Sequence, residues 1–588
     1  MTPAVAAGKS VAMQLDAGIQ GPMDLARRPD ADDRVSEKTS CDLTPKRRRE
    51  MHAIRKGRML TRSLIAASIA AALGGSAFGQ SSDIEVQGYV RGYAGWNTDK
   101  IIETDNKSGD LSMLRGQVYL EVQNKKSALQ WKVSGRIARE YKTDYLKELE
   151  SLERGTSVHG VSAFGNPDFN IMSIYNKGEI RDAWVQFQPM DNLNVKVGRQ
   201  QVVWGETDLF QALDVIHGYN FTWAPLLEEP DEMRKPLFLF NTSLSVPEAD
   251  GSLQLILRPG WDALRDNGST WDVFGGRART NGYKGASSAF VPYTMDYEHP
   301  TGDLDNKLTY ALRWKGMAAG ANYHLSYVHM PYTRNPIANS MFAPYQKAPN
   351  GPVLANWIVP IVDVYGAGLN FYSQPIDTVL TGELVYTRDE PFNIGSVPGG
   401  AMTAACLGPL SAAPFATSYS GTCGVKRKGT VMTMFRAEKS IKTNDIIGTS
   451  TPMTAALQIF NTRITNFNAA EDLVQSIGYP NPVKESSTFA SLVLRAPFMQ
   501  DKLTPTIALG RDFSNDGTLF AVAVDYELGT HWRLRAEWDC FRGNSNVTMQ
   551  SIPGLAPVPL YLPVGSASGM NGLLDDNSRF YLRATYQF

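Results

Sequence analysis

"RFYLRATYQF", residues 579–588, ends the chain. From Phe580 every second residue is apolar: Phe580, Leu582, Ala584, Tyr586 and Phe588. Between them stand Tyr581, Arg583, Thr585 and Gln587, polar or amphipathic. Strand side chains alternate between two faces, so the pattern reads as a strand with one apolar and one polar side. It stops on an aromatic residue with no tail. In a bilayer every backbone N–H and C=O must be paired, so a sheet that enters it has to close on itself. A last strand that zips onto the first, near residues 84–96, meets that demand. The plain alternative is an edge strand of a soluble sheet.

The same design recurs along the chain. "IEVQGYVRGYAGW" sets Ile84, Val86, Val90, Ala94 and Trp96 against Glu85, Gln87, Tyr89, Arg91 and Tyr93. "LRGQVYLEVQ", "LQWKVSGRIARE", "KLTYALRWKG" and "HWRLRAEWDCF" follow suit. Each runs about ten residues, the length a tilted transmembrane strand needs. Links between candidate strands alternate in length. Segments 124–128, 189–192, 247–252, 317–320, 373–377, 441–451, 497–502 and 529–530 are short. Segments 141–178, 203–236, 262–305, 331–361, 389–429, 464–485 and 542–577 are long, with 515–517 a tight turn where a long loop is due. Outer-membrane barrels combine tight periplasmic turns with long extracellular loops. The expectation is an all-β, transmembrane, antiparallel up-and-down barrel of about 18 strands, an even number that puts both ends in the periplasm.

Composition agrees. Hydrophobic residues are 43%, charged residues 20% and aromatics 10%, with a formal net charge of −1. That charge, with no basic stripe, argues against nucleic-acid binding. No run of 18 apolar residues marks a membrane helix. Near the start, Arg55, Lys56, Arg58 and Arg62 precede an apolar run from Leu64 to Leu73, and Ala77 and Gly79 offer a cleavage site. Residues 51–79 therefore read as a secretory signal peptide. Residues 1–50 read as a disordered leader or as sequence upstream of the true start, with Met51 or Met59 as candidates. Residues 80–588 are the expected barrel, placed in the bacterial outer membrane. In the exported part, Cys406 and Cys423 form an expected local disulfide, worth about 3 kcal/mol for a loop of that size. Cys540 is expected unpaired.

A lipid-facing Arg or Lys costs roughly 2–4 kcal/mol near the midplane. Arg91, Arg115, Arg136, Arg313, Arg436, Arg495, Arg533, Arg535 and Arg583 should therefore line the lumen, with Lys315, Glu438, Glu537 and Asp539 among them. Interspersed acids favour mutual pairing; the sharper alternative is a ladder that selects anions. No plug domain precedes the first strand, so narrowing must come from loops. The segment "VGRQQVVWGETDLFQALDVIHGYNFTWAPLLEEPDEMRKPLFLF", residues 197–240, is the candidate. Its constriction residues are Trp204, Glu206, Asp208, Asp214, His217, Glu228, Asp231, Glu232, Arg234 and Lys235. So many bulky and charged residues suit a packed element better than free coil. The alternative is a self-packed surface loop.

This segment also carries a resemblance. Gly198, Arg199 and Gln200, then Trp204, Gly205 and Glu206, then Pro230, Glu232, Arg234, Lys235 and Pro236 resemble the Gram-negative outer-membrane family catalogued as domain of unknown function 1302. The stretch "DVIHGYN" departs from the Asn-Pro-Val-like run more usual there, and Gly-Arg-Gln is shared with alginate-export barrels. The resemblance implies an outer-membrane barrel, often associated with hydrophobic compounds such as steroids or lipids, and no catalytic residues. The alternating residues Phe580, Leu582, Tyr586 and Phe588 also resemble the signal read by barrel-assembly machinery.

The leading functional expectation is a porin-like channel for organic solutes, hydrophobic or anionic. The second is a structural or adhesive barrel acting through its loops. The third is a barrel hydrolase built on His324 and Ser326, without a Gly-x-Ser-x-Gly elbow to support it. No cofactor or metal signature is present. Expected partners are outer-membrane lipid, the assembly machinery and a small organic solute.

Overall fold

The computed structural model describes residues 83–99, 107–153, 170–207, 210–220, 223–260, 277, 308–332, 337–338, 357–358, 360–394, 425–471, 473–476, 479–543, 548–552, 560–564, 574–575 and 577–588. Eighteen antiparallel strands form its wall. They are β1 (Glu85–Asn97), β2 (Leu111–Asn124), β3 (Gln130–Glu140), β4 (Lys177–Met190), β5 (Leu193–Gln200) and β6 (Leu237–Val246). Then come β7 (Gly251–Arg258), β8 (Thr309–Ala318), β9 (Ala321–Pro331), β10 (Ile361–Ser373), β11 (Thr378–Ile394) and β12 (Val425–Ile441). The last six are β13 (Met453–Ile464), β14 (Ser486–Arg495), β15 (Leu503–Asp512), β16 (Gly517–Leu528), β17 (Trp532–Arg542) and β18 (Arg579–Gln587). A short hairpin, Leu473–Ser476 with Tyr479–Pro482, extends the sheet beyond β11.

Each strand pairs with its neighbours in sequence, and β18 pairs with β1 from Tyr89↔Gln587 to Asn97↔Arg579. The circle is complete, as the alternation in 579–588 requires. The seam continues one step further: Gly88 N–H donates to the Phe588 carbonyl at 2.9 Å, and Phe588 N–H donates to the Gly88 carbonyl at 3.0 Å. The Phe588 ring lies over Gly88, where an added Cβ would sit 2.9 Å from the ring and 2.5 Å from the Tyr119 carbonyl oxygen. Only a residue without a side chain fits that close approach.

The exterior is apolar. Val118, Leu120, Val133, Ile137, Phe238, Phe240, Leu325, Leu384, Leu457, Ile507 and Leu582 are all exposed. Register places the nine expected lumen arginines on the opposite side, through pairs such as Tyr93↔Arg115, Tyr119↔Arg136, Thr381↔Arg436 and Arg535↔Arg583. Short turns gather at one end and long connections at the other. Between β3 and β4, α1 (Asp144–Glu153) and α2 (Met172–Tyr175) turn into the bore. There Tyr145, Leu146, Leu149, Ile171 and Tyr175 pack on Tyr93, Met113 and Tyr581.

Cys540 is buried and disulfide-bonded, not the unpaired residue that its isolation in the sequence suggested. Cys406, Cys423 and residues 51–79 lie outside the described residues.

Candidate functional site

The bore is crossed by the segment between β5 and β6. Its entry is set by Gly198, whose φ of 127° is open to glycine and strained for other residues. A Cβ there would lie 2.2 Å from the Ala183 carbonyl oxygen on β4. Gln200, fully buried, then locks the strand end. Its amide donates to the carbonyls of Gly198 at 3.2 Å and Leu239 at 3.1 Å, and accepts from Asn241 at 3.1 Å. The Gly-Arg-Gln element is thus a bend and its brace.

His217 closes the base of the loop. The Val202 N–H donates to Nε2 at 2.9 Å, and Nδ1 faces the Lys235 carbonyl at 2.7 Å. An amide only donates and a carbonyl only accepts, so the ring is neutral with its proton on Nδ1. Burial, reinforced by Arg234 and opposed by Asp214, lowers the imidazole to about 3. Beside it Arg234 bonds Asp214 at 2.8 Å and Asp231 at 2.6 Å, and Tyr219 donates to Asp214. Burial likewise lowers Lys235 to about 8, although Glu179 opposes the shift.

The sign of the resulting pH dependence follows. An unfolded imidazole titrates near 6.5, so it gains a proton before the folded one does, and stability falls as pH drops below 6.5. Between pH 7 and pH 5 the docked loop should lose about 2 kcal/mol. Limited proteolysis within the loop should accelerate over that range. His217→Gln, whose amide accepts and donates without titrating, should flatten the dependence; an unaltered profile in H217Q would remove His217 as its origin.

From this base the loop reaches both sides of the wall. Its first limb buries Val202, Trp204, Ala212, Leu213 and Ile216 against Leu239, Ile256, Ala311, Val328, Val364 and Val385. Phe210 packs edge-on to Phe489 with centroids 4.5 Å apart. Each fully buried large apolar side chain contributes roughly 1.5–3 kcal/mol. Glu383 on β11 accepts the amides of Glu206 at 2.7 Å and Leu213 at 3.0 Å. The second limb meets the far wall. The amides of Leu226 and Leu227 donate to Asp539 at 2.9 Å and Glu537 at 2.8 Å, while their side chains pack on Val493, Ala508 and Ala521.

The return through α3 (Pro230–Met233) is held by charge. Glu232 accepts from Tyr89 at 2.7 Å, Arg91 at 3.1 Å and Arg136 at 2.6 Å. These arginines, against the opposing effect of burial, hold its carboxyl down at about 2. Glu228 accepts from Tyr93 at 3.0 Å and from Arg583. The segment is therefore held by contacts on several strands of the wall.

The structure brings Asp214, His217, Arg234 and Lys235 together at the loop base, and Glu228 and Glu232 at the arginine wall. Glu206 stands apart, accepting from Asn370 at 2.9 Å. The Asp231 side chain is largely exposed at 79%. Asp208 lies outside the described residues. Most lumen arginines are paired: Arg91, Arg136 and Arg583 as above, Arg115 with Glu140, Arg436 with Glu438, Arg533 with Glu527, and Arg535 with Asp525 and Glu537. Tyr89, Tyr93, Gln117, Glu179 and Glu383 were not singled out from sequence. Their inward parity was the available signal.

On the short-turn side of the plug is a cavity of about 580 Å³. Trp204 and Glu206 of the loop line it with Ser252, Arg313, Lys315, Asn322, His324, Asn370 and Thr381 of the wall.

A model of the family described as protein of unknown function (DUF1302) matches residues 63–588. No curated protein sequence matches the chain. Among solved structures, Acinetobacter baumannii OccAB3 is 8% identical, with a TM-score of 0.42 over 86% of this chain and 100% of that one. Pseudomonas aeruginosa OpdK with vanillate is 9% identical, at 0.41 over 87% of this chain and 100% of that one. Pseudomonas aeruginosa OccK2 (OpdF) in complex with glucuronate is 10% identical, at 0.40 over 87% and 99%.

Proposed function

This chain belongs to the DUF1302 family, and on that premise we propose that it is a channel of the bacterial outer membrane that admits small organic solutes past an internal loop. One observation carries the reading: a closed ring of strands, apolar outside, encloses a bore lined by arginines and carboxylates. An apolar outer belt suits lipid, and a charged interior suits water and polar solutes. In this reading residues 51–79 direct export and are removed, the alternating residues of β18 guide assembly, and the short turns face the periplasm. The cavity below the plug is a station on the path.

The hydrolase alternative needs a hydrogen-bonded nucleophile and base. His324 Nδ1 and Ser326 Oγ each lack a partner among the described residues. The adhesive alternative rests on segments that lie mostly outside those residues.

Purified protein in planar bilayers should give discrete, small conductance steps. Insertion without current, both for the native chain and for a variant lacking the loop, would overturn the proposal.

A further inference from the structure

The cavity below the plug differs from the rest of the bore in its charge pairing. Elsewhere, arginines facing the plug meet carboxylates within ion-pair distance. Arg313, only 5% exposed, has no carboxylate that close among the described residues. Its guanidinium donates to Gln254 at 3.0 Å and to the Trp204 carbonyl at 3.5 Å, and lies over the Trp204 ring at 4.8 Å. Among the described residues its Nε has no partner, and neither has Nδ1 of the adjacent His324, which is 9% exposed. Register sets Lys315 directly opposite His324, on the same inner row, and Lys315 also lacks an ion-pair partner among the described residues. A buried cation without a counter-charge is costly, and a bound anion removes that cost.

Resting on the channel reading, we propose that this cavity binds small organic monocarboxylates, with the carboxylate on Arg313 and Lys315. A guanidinium presents paired donors that match a carboxylate, and the volume lies in the range of ordinary small-ligand sites. Asn322, Asn370 and Thr381 add neutral polar groups, and Trp204 and Met317 an apolar edge. Glu206 and Asp250 also line the cavity, so a second negative charge on the solute is repelled. Glu206 is exposed and accepts a hydrogen bond from Asn370 at 2.9 Å.

Calorimetric titration of the full-length protein in detergent tests this with benzoate, its neutral analogue benzyl alcohol and the dianion phthalate. Benzoate should bind at least tenfold more tightly than either. The double variant R313Q/K315Q should lose at least tenfold in benzoate affinity, whereas Arg463→Gln, which removes a charge at the opposite rim, should not. Equal binding of benzoate and benzyl alcohol, or wild-type affinity in R313Q/K315Q, would overturn the assignment. Heat-modifiable gel mobility confirms that each variant is folded before titration. Conductance is read separately: a conducting protein whose benzoate affinity is indifferent to these substitutions refutes the site alone, and a silent protein that binds benzoate refutes the channel alone.

Discussion

Replacing residues 207–229 with a short glycine–serine link should raise single-channel conductance roughly threefold or more, since barrels of about 16–18 strands leave an aqueous channel unless something fills them. The excised stretch carries Phe210, Leu213, Ile216 and Trp223, with Leu226, Leu227 and Glu228. The first four are packed into the interior clusters, Phe210 at their margin. The wall does not depend on it for closure, because β5 pairs with β6 from Leu193↔Leu244 to Gln200↔Leu237. A milder lesion, E228Q/E232Q, leaves Arg91, Arg136 and Arg583 without their loop carboxylates. Removing one member of a buried ion pair costs about 3–5 kcal/mol. That variant should therefore flicker between native and open levels. Recordings at a single native level in both variants would show that the loop does not restrict the path.

The second large effect concerns the bend at Gly198. Gly198→Val should abolish most of the folded protein in the envelope, read as loss of the compact, heat-modifiable band. A residue with a Cβ at φ of 127° is strained by about 1–3 kcal/mol. The clash with the Ala183 carbonyl oxygen at 2.2 Å adds to that strain. Relief would break the pairing of Trp184 with Gly198 and withdraw the brace made by Gln200. Gly92→Ala is the control, since its added Cβ meets nothing within 4 Å on β1. Normal abundance of the Gly198 variant would mean that the bend is dispensable.

Strand faces were legible because a period of two and the penalty for charge in lipid both act residue by residue. Those local rules put Arg91, Arg436 and Arg583 on the polar face without any knowledge of register. Loop lengths were legible for the same reason, as turn and strand patterns are local. The anchoring of the loop was not. Glu228 meets Arg583, 355 residues away, and only closure of the ring brings them together. Asp231 and Glu232 are neighbours with opposite fates, one exposed and one paired with two wall arginines, because the turn at Pro230–Met233 points them in different directions. Glu383 was passed over because nothing in its own strand announces that two loop amides will need it.

The receptor for Glu228 is split across the seam: Tyr93 and Arg91 come from the first strand, Arg583 from the last. Neither half suffices, so the seat comes into existence only when the two termini of the wall have met. Loss of either terminal strand would therefore remove part of the Glu228 seat. The other anchors of the loop, on Glu383, Glu537 and Asp539, lie on strands that the seam does not join.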